Sequence, residues 1–171
     1  MIELKELQLI SEESGILKQL QGEFDFQSPL YDPKDLAFKL NECMKKHNGL
    51  GLSACQVGIP FRVFALRVDG DEPYVLFNPK IVSQSDNMIS MKEGCLSFPL
   101  LYMNVKRPDA VRIRYQTYTG EIKTQQFIGM SARVALHEMD HMEGITYLSR
   151  ASSFELQRAT RKRMILKRKV K

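Results

Sequence analysis

His137-Glu138-Met139-Asp140-His141 is an H-E-x-x-H pentad inside the stretch Ser131 to Gly144, where Val134, Ala135 and Met139 are among the apolar positions of a helical pattern. Two imidazoles four residues apart share one helix face, so both can ligate one metal ion while the intervening carboxylate reaches a water beside it. The chain has three histidines and two of them are here; chance would place the pattern somewhere in a chain of this composition roughly 0.4 per cent of the time. A catalytic metal site usually takes three protein ligands and keeps a fourth position for water. The third ligand therefore decides the chemistry.

Working outward, Ser131 reads as the N-cap of this helix and Gly144 as its end. Between Leu52 and Phe127 the pattern is β-rich. Phe61 to Val68 and Tyr74 to Phe77 flank a turn at Asp69-Gly70-Asp71-Glu72-Pro73, and Val111, Ile113 and Tyr115 alternate with Arg112 and Arg114 before Gly120 turns the chain into Glu121 to Phe127. The acids of the first turn lack the length and ligand order of a calcium loop. Asp32-Pro33 starts an earlier helix with Leu36, Leu40, Cys43 and Met44 at helical spacing, and Asn48-Gly49 stops it. His47 falls in its last turn, where the helix dipole favours it without any ligand role. Ser152 to Lys169 reads as a weakly amphipathic helix with a basic end. The expected fold is α+β: antiparallel β-sheets packed around a central helix carrying the pentad, with an N-terminal helix and a C-terminal helix.

A chain of 171 residues fits one domain, so residues 1–171 are read as a single unit with 151–171 as a basic C-terminal helix or tail. The net charge of +5 is concentrated there: eight Lys and Arg follow position 150 against Glu155 alone, so the tail carries +7 and the rest −2. No apolar run approaches the length of a membrane span, and the start has no basic-then-apolar leader layout. A cytoplasmic, monomeric protein without membrane contact is the expectation. Cys43, Cys55 and Cys95 make an odd count with no disulfide-like spacing, which in a reducing compartment points to burial, metal binding or catalysis.

Glu93-Gly94-Cys95-Leu96-Ser97 is the segment best built to present the third ligand, since Gly94 permits a close backbone turn and Cys95 offers a thiolate. Its place upstream of the pentad argues against the common zincin proteases, which take a downstream Glu or His. After Gly144 there is no His, and the only acid is Glu155. A Cys-His-His site is favoured, with Glu143 as the alternative.

Three segments now come together: Gly49-Leu50-Gly51-Leu52-Ser53-Ala54-Cys55-Gln56, Glu93-Gly94-Cys95-Leu96-Ser97 and His137-Glu138-Met139-Asp140-His141-Met142-Glu143-Gly144. In this order they resemble the three signature motifs of the peptide deformylase family, over about residues 28–148. The resemblance implies a hydrolase that removes the N-formyl group from the initiator methionine of nascent polypeptides and releases formate. It implies a divalent metal held by Cys95, His137 and His141, iron(II) as the expected native ion with zinc or nickel able to replace it. It implies Glu138 as the base that activates water and then returns the proton to the departing amine. By the same resemblance, the Gln56 amide and the Leu96 backbone N–H donate to the oxyanion. The segment Gly49, Leu50 and Gly51 is expected to pair with the peptide backbone as an added strand. Leu100, Val134 and Met130 are candidates for the methionine pocket, Glu93 for a structural ion pair with Arg107 as partner, and the basic tail for contact with ribosomal RNA.

Four positions depart from the commonest pattern of the family: Ser53 stands for Ala, Cys55 for Pro, Thr or Asn, Leu136 for Gln, and Tyr102 for Arg. None removes a ligand, the base or an oxyanion donor. A metallopeptidase would share the pentad but not require Cys95, and a retired binding module would have lost a ligand or the Glu. Every such residue is present.

Overall fold

The computed structural model describes residues 1–67 and 73–169. Among the described residues, two antiparallel sheets and three α-helices make up the fold. Helix α1 (Pro33–Lys46) is followed by β1 (Gly51–Ser53), β2 (Val63–Leu66), β3 (Tyr74–Gln84), β4 (Met88–Cys95), β5 (Phe98–Pro108), β6 (Ala110–Gln116) and β7 (Ile122–Ile128), then α2 (Met130–Met142) and α3 (Ser153–Lys169). One sheet has the order β1-β2-β3-β6-β7, and β4-β5 forms a separate hairpin. The turn expected at Asp69 to Glu72, with Val68, lies outside the described residues.

The period of two along a strand explains how one sheet serves two helices. In β2 every residue is buried. Val63 and Ala65 join Leu36, Leu40 and Met44 of α1, while Phe64 and Leu66 join Ala132, Ala135 and Met139 of α2. A strand covered on both faces reads as a continuous apolar run, which is why Val63-Phe64-Ala65-Leu66 shows no alternation. Each fully buried side chain of this size contributes about 1.5–3 kcal/mol by leaving water. A third cluster joins Phe98, Leu101, Met103 and Val105 of β5 to Tyr147 and to Ala159 of α3.

The expected elements are present with shifted ends. Asp32 caps α1 as read, its carboxylate accepting from the Asp35 N–H at 2.7 Å, and Asn48 stops the helix in the left-handed region at φ 54. The strand read at Phe61 to Val68 is reduced to Val63–Leu66, because Phe61 instead bridges Gly22. The run Tyr74 to Phe77 continues to Gln84, past register shifts that lie between Phe77 and Lys80 and between Ile81 and Ser83. Ser131 is not the N-cap of α2. Gly129, at φ 63 and ψ −122, holds that position without a side-chain bond, and Ser131 lies inside the first turn with its hydroxyl on the Ile128 backbone. That backbone conformation is open to glycine and strained for other residues, and it lets β7 turn directly into α2.

Urea denaturation should show Asp32→Ala losing about 1 kcal/mol, the usual worth of an N-cap, and Gly129→Ala losing about 1–3 kcal/mol from strain. Unchanged stability in Gly129→Ala would mean that the turn is made some other way.

Candidate metal centre and active site

Helix α2 presents a polar stripe on an otherwise apolar body: Arg133, His137, Asp140 and His141 recur at helical spacing and are all buried. Facing them is the tip of the β4–β5 hairpin. The ladder pairs Glu93 with Met103 and Cys95 with Phe98, with a register shift between them, so the strand bends just before the turn at Leu96-Ser97. This delivers Cys95 to the two imidazoles, and donor atoms of Cys95, His137 and His141 all lie within 4.8 Å of one another. Ligand bonds of about 2.3 Å to sulfur and 2.0 Å to nitrogen at a tetrahedral angle place S and N about 3.5 Å apart; Cys95 Sγ lies 3.5 Å from His141 Nε2. Among the described residues this is the one grouping of three such donors. Glu143 is not part of it, since its carboxylate pairs with Arg62 at 2.7 Å.

Glu93 orders this arrangement. Its carboxylate accepts from Arg107 Nε at 2.7 Å and Nη2 at 3.0 Å, from Arg133 Nη1 at 2.7 Å, and lies 3.1 Å from His137 Nδ1. The last contact fixes the ring so that Nε2 is left for a ligand role, the usual carboxylate support of a metal-binding histidine. Arg107 continues to Asp140 at 2.7 Å, and Arg150 closes on Asp140 at 2.6 Å. Burial opposes the Glu93 charge, but His137, Arg107 and Arg133 outweigh it and hold the carboxyl at about 2. Burial likewise opposes a charged His137, yet Cys95 and Glu93 pull it up to about 10. His141 is pushed well down, first by burial and then by the positive charges of His137 and Arg107. A cation bound here would displace the proton held on His137, since ligation needs a neutral imidazole.

Glu138 is buried beside the cluster, and burial raises its carboxyl above the ordinary range. Ser53 Oγ donates to its Oε2 at 2.6 Å. The Ser53 N–H donates to Gln56 Oε1 at 2.8 Å, and this aims Gln56 Nε2 at Cys95 Sγ, 3.3 Å away, and at Ser97 Oγ, 3.0 Å away. A Cβ on Gly51 would overlap the Glu138 carboxylate and come within 2.7 Å of Val134, so only glycine allows strand β1 this close. Cys55 sits behind Gln56, fully buried, and desolvation together with nearby Glu138 pushes its thiol up to about 12.

A cleft of about 810 Å³ opens over the cluster. Gly49, Leu50, Gly51, Gln56, Cys95, Leu96, His137 and Glu138 line it, with Leu100 and Val134, whereas Met130 does not. His141 is buried and does not line it. Apart from Met130, the sequence-predicted site residues are therefore gathered at one place. The expected Glu93–Arg107 pair is present as an ion pair. Sequence reasoning missed Arg133 and Asp140, although charges on an apolar helix face are a signal of buried pairing. It also missed that the Ser53 hydroxyl reaches Glu138. Tyr147 was missed too; its ring packs against His137 at 5.5 Å between centroids, and its hydroxyl donates to the Leu101 carbonyl at 2.8 Å. No local pattern announces it.

Soft and imidazole donors around an open cleft, backed by a buried carboxylate, are the equipment of a metal-dependent hydrolase. Comparison with known proteins gives the same class. The family model described as polypeptide deformylase matches residues 8–157. A peptide deformylase of a Synechococcus species is 38% identical over 134 residues, covering 73% of this chain and 67% of the relative, and one of Maricaulis maris is 36% identical, covering 77% and 78%. Among solved structures, the Synechococcus elongatus peptide deformylase in complex with actinonin superposes with TM-score 0.83 at 30% identity, covering 91% of this chain and 86% of that one. A Met-Ala-Ser-bound peptide deformylase of Acinetobacter baumannii gives TM-score 0.78 at 30% identity, covering 84% and 97%. The chain belongs to the polypeptide deformylase family, metal-dependent hydrolases that remove the N-formyl group from the initiator methionine of nascent polypeptides and release formate.

Two outcomes check this geometry. Glu93→Ala leaves Arg107 and Arg133 buried without their carboxylate and should lose about 3–5 kcal/mol of stability in denaturant titration; a loss under 1 kcal/mol would remove Glu93 from its organising place. Iodoacetamide at pH 8 should leave Cys43 and Cys55 unmodified in the folded protein, whereas Cys95 should become reactive when a chelator is added. Equal labelling of all three thiols would contradict the burial described.

Proposed function

We propose that Cys95, His137 and His141 together hold one divalent ion, iron(II) in the native enzyme, with zinc(II) or nickel(II) able to replace it. The convergence of one thiolate and two imidazoles within 4.8 Å carries this reading. Such an ion supplies Lewis acidity, making water a competent nucleophile near neutral pH.

The chain's own residues do the rest. Glu138, elevated by burial and held from one side by Ser53, accepts the proton of the attacking water and returns it to the departing amine. The Gln56 amide, aimed at the cluster, and the Leu96 backbone N–H stabilise the oxyanion that forms at the formyl carbon. Removing one such donor costs on the order of 10²–10³ in rate. β1 is the terminal strand of its sheet, so Gly49, Leu50 and Gly51 can take the peptide as an additional strand, a mode that reads backbone more than side chains. Leu100 and Val134 form the wall for the methionine side chain. The Met-Ala-Ser-bound relative supports a short peptide in this cleft.

The same reading makes residues 1–171 one domain around α2, which packs on strands of both sheets, with 151–171 its basic appendage. It assigns the enzyme to the cytoplasm as a monomer. Among the described residues no helix is long and apolar enough to cross a membrane. Arg161, Arg168 and Lys169 of α3 are exposed and provide the charge for a ribosomal RNA contact.

Anaerobically prepared, iron- or nickel-loaded protein should release formate from formyl-Met-Ala-Ser. Glu138→Ala should lower kcat by about 10²–10⁴ with metal content unchanged, and Cys95→Ser should lose both metal and turnover. Activity that survives Cys95→Ser, or that is the same with and without Glu138, would overturn the assignment.

A further inference from the structure

The cleft does not end at the metal centre. A second hollow of about 410 Å³ shares Lys92, Leu100 and Tyr102 with it and adds Met103, Asn104, Arg158, Ala159, Lys162 and Leu166. The two hollows adjoin along these three shared residues, and together they make a trough between the β4–β5 hairpin and α3. Helical spacing accounts for the second wall: Ala159, Lys162, Arg163, Leu166 and Lys167 fall on the side of α3 that meets β5. Arg163 anchors that side, donating from Nε to the Pro99 carbonyl at 3.0 Å and pairing with Glu12. On the opposite wall Lys92 Nζ sits 5.1 Å from the centroid of the Tyr102 ring, and the ring stabilises the cation there without neutralising it.

Charge along the trough is one-sided. Lys92, Lys162 and Lys167 are exposed and have no carboxylate partner among the described residues. The acids near the outer part are already engaged, Glu12 by Arg163 and Glu155 by Arg158, and Glu93 and Glu138 lie buried at the inner end. Walls of one sign around a concave path focus the field on whatever runs through it.

We propose that this trough receives the part of the substrate polypeptide that follows the formyl-methionine, and that it favours acidic side chains there. The inference rests on the peptide entering along β1 with its formyl end at the cluster. It adds a selectivity for the downstream segment to an enzyme whose strand pairing is otherwise indifferent to sequence.

The test compares C-terminally amidated formyl-Met-Ala-Ser extended by three Glu or by three Lys, on metal-loaded enzyme. The Glu peptide should have about tenfold the kcat/KM of the Lys peptide near 10 mM salt, falling to under twofold at 0.5 M, where exposed charges are screened over about 4 Å. Lys162→Glu/Lys167→Glu should invert the ratio. Arg168→Glu/Lys169→Glu, an equal change of net charge on residues lining neither hollow, should keep it. Fluorescence anisotropy of the deformylated products gives the same comparison without turnover, so a failure of the hydrolysis reading is separable from a failure of the trough. Equal handling of the two peptides, a ratio that Lys162→Glu/Lys167→Glu leaves unmoved, or a single-stranded RNA oligonucleotide displacing the Glu peptide from the trough, would overturn the proposal.

Discussion

The bidentate grip of Arg107 on Glu93, at 2.7 and 3.0 Å, joins strand β5 to strand β4 at the point where the hairpin must hold Cys95 in place. The same carboxylate reaches Arg133 and His137 on α2, so one buried group sets the distance between the hairpin and the helix. Ion pairs in the interior are costly to desolvate and contribute little net stability. Their use here is positional. A thiolate and two imidazoles must be held to within about 0.5 Å to serve one ion, and a set of charged hydrogen bonds is more directional than apolar packing. Asp140, gripped by Arg107 and Arg150, extends the frame along α2. With Cys95 deprotonated, as ligation requires, its thiolate is the anion left for a cation to meet, because the framing carboxylates Glu93 and Asp140 are already engaged by Arg107, Arg133 and Arg150.

Around that frame the rest of the architecture is supportive. The five-stranded sheet buries one face on α1 and the other on α2, and the second face fixes the helix that carries the histidines. β1, three residues long, leaves the sheet at its edge and passes directly over Glu138, with Gly51 as the point of closest approach. Ser53, two residues further along β1, links the same carboxylate to the Gln56 side chain through its hydroxyl and its backbone N–H. The first signature segment is thus a single local structure that delivers a strand edge, a hydrogen bond to the base and an amide donor. This explains why the motif is contiguous while the metal donors are dispersed.

Much of this was legible in the sequence. Pentad spacing located α2, and the Asp32-Pro33 cap and the Gly120 turn marked α1 and the β6–β7 hairpin, because these signals are local. Cys95 was reached by asking which segment could present a ligand, and the structure brings it to the imidazoles. What escaped depended on long-range contact. Strand β4 is mostly exposed and lacks alternation, and the partner strand β5, although it alternates with Leu101, Met103, Val105 and Arg107 buried, shows its pairing only in the fold. Arg133, Asp140, Ser53 and Tyr147 gained their meaning only when residues as far as 85 positions apart in the chain met. The start of α2 was misplaced by two residues because a glycine of unusual backbone geometry, without a side-chain cap, began the helix. Leu136 and Tyr102 were known departures whose consequences needed the fold: Leu136 packs in the core while its carbonyl faces Arg107 at 3.4 Å, and Tyr102 lines the trough.

The central claim is that one thiolate and two imidazoles hold a single ion at the meeting point of hairpin and helix. X-ray absorption at the metal edge of the iron- or zinc-loaded protein tests it most directly. The account predicts one sulfur scatterer, near 2.3 Å for zinc, and two imidazole nitrogens near 2.0–2.1 Å. A shell of nitrogen and oxygen alone, with no sulfur, would contradict it.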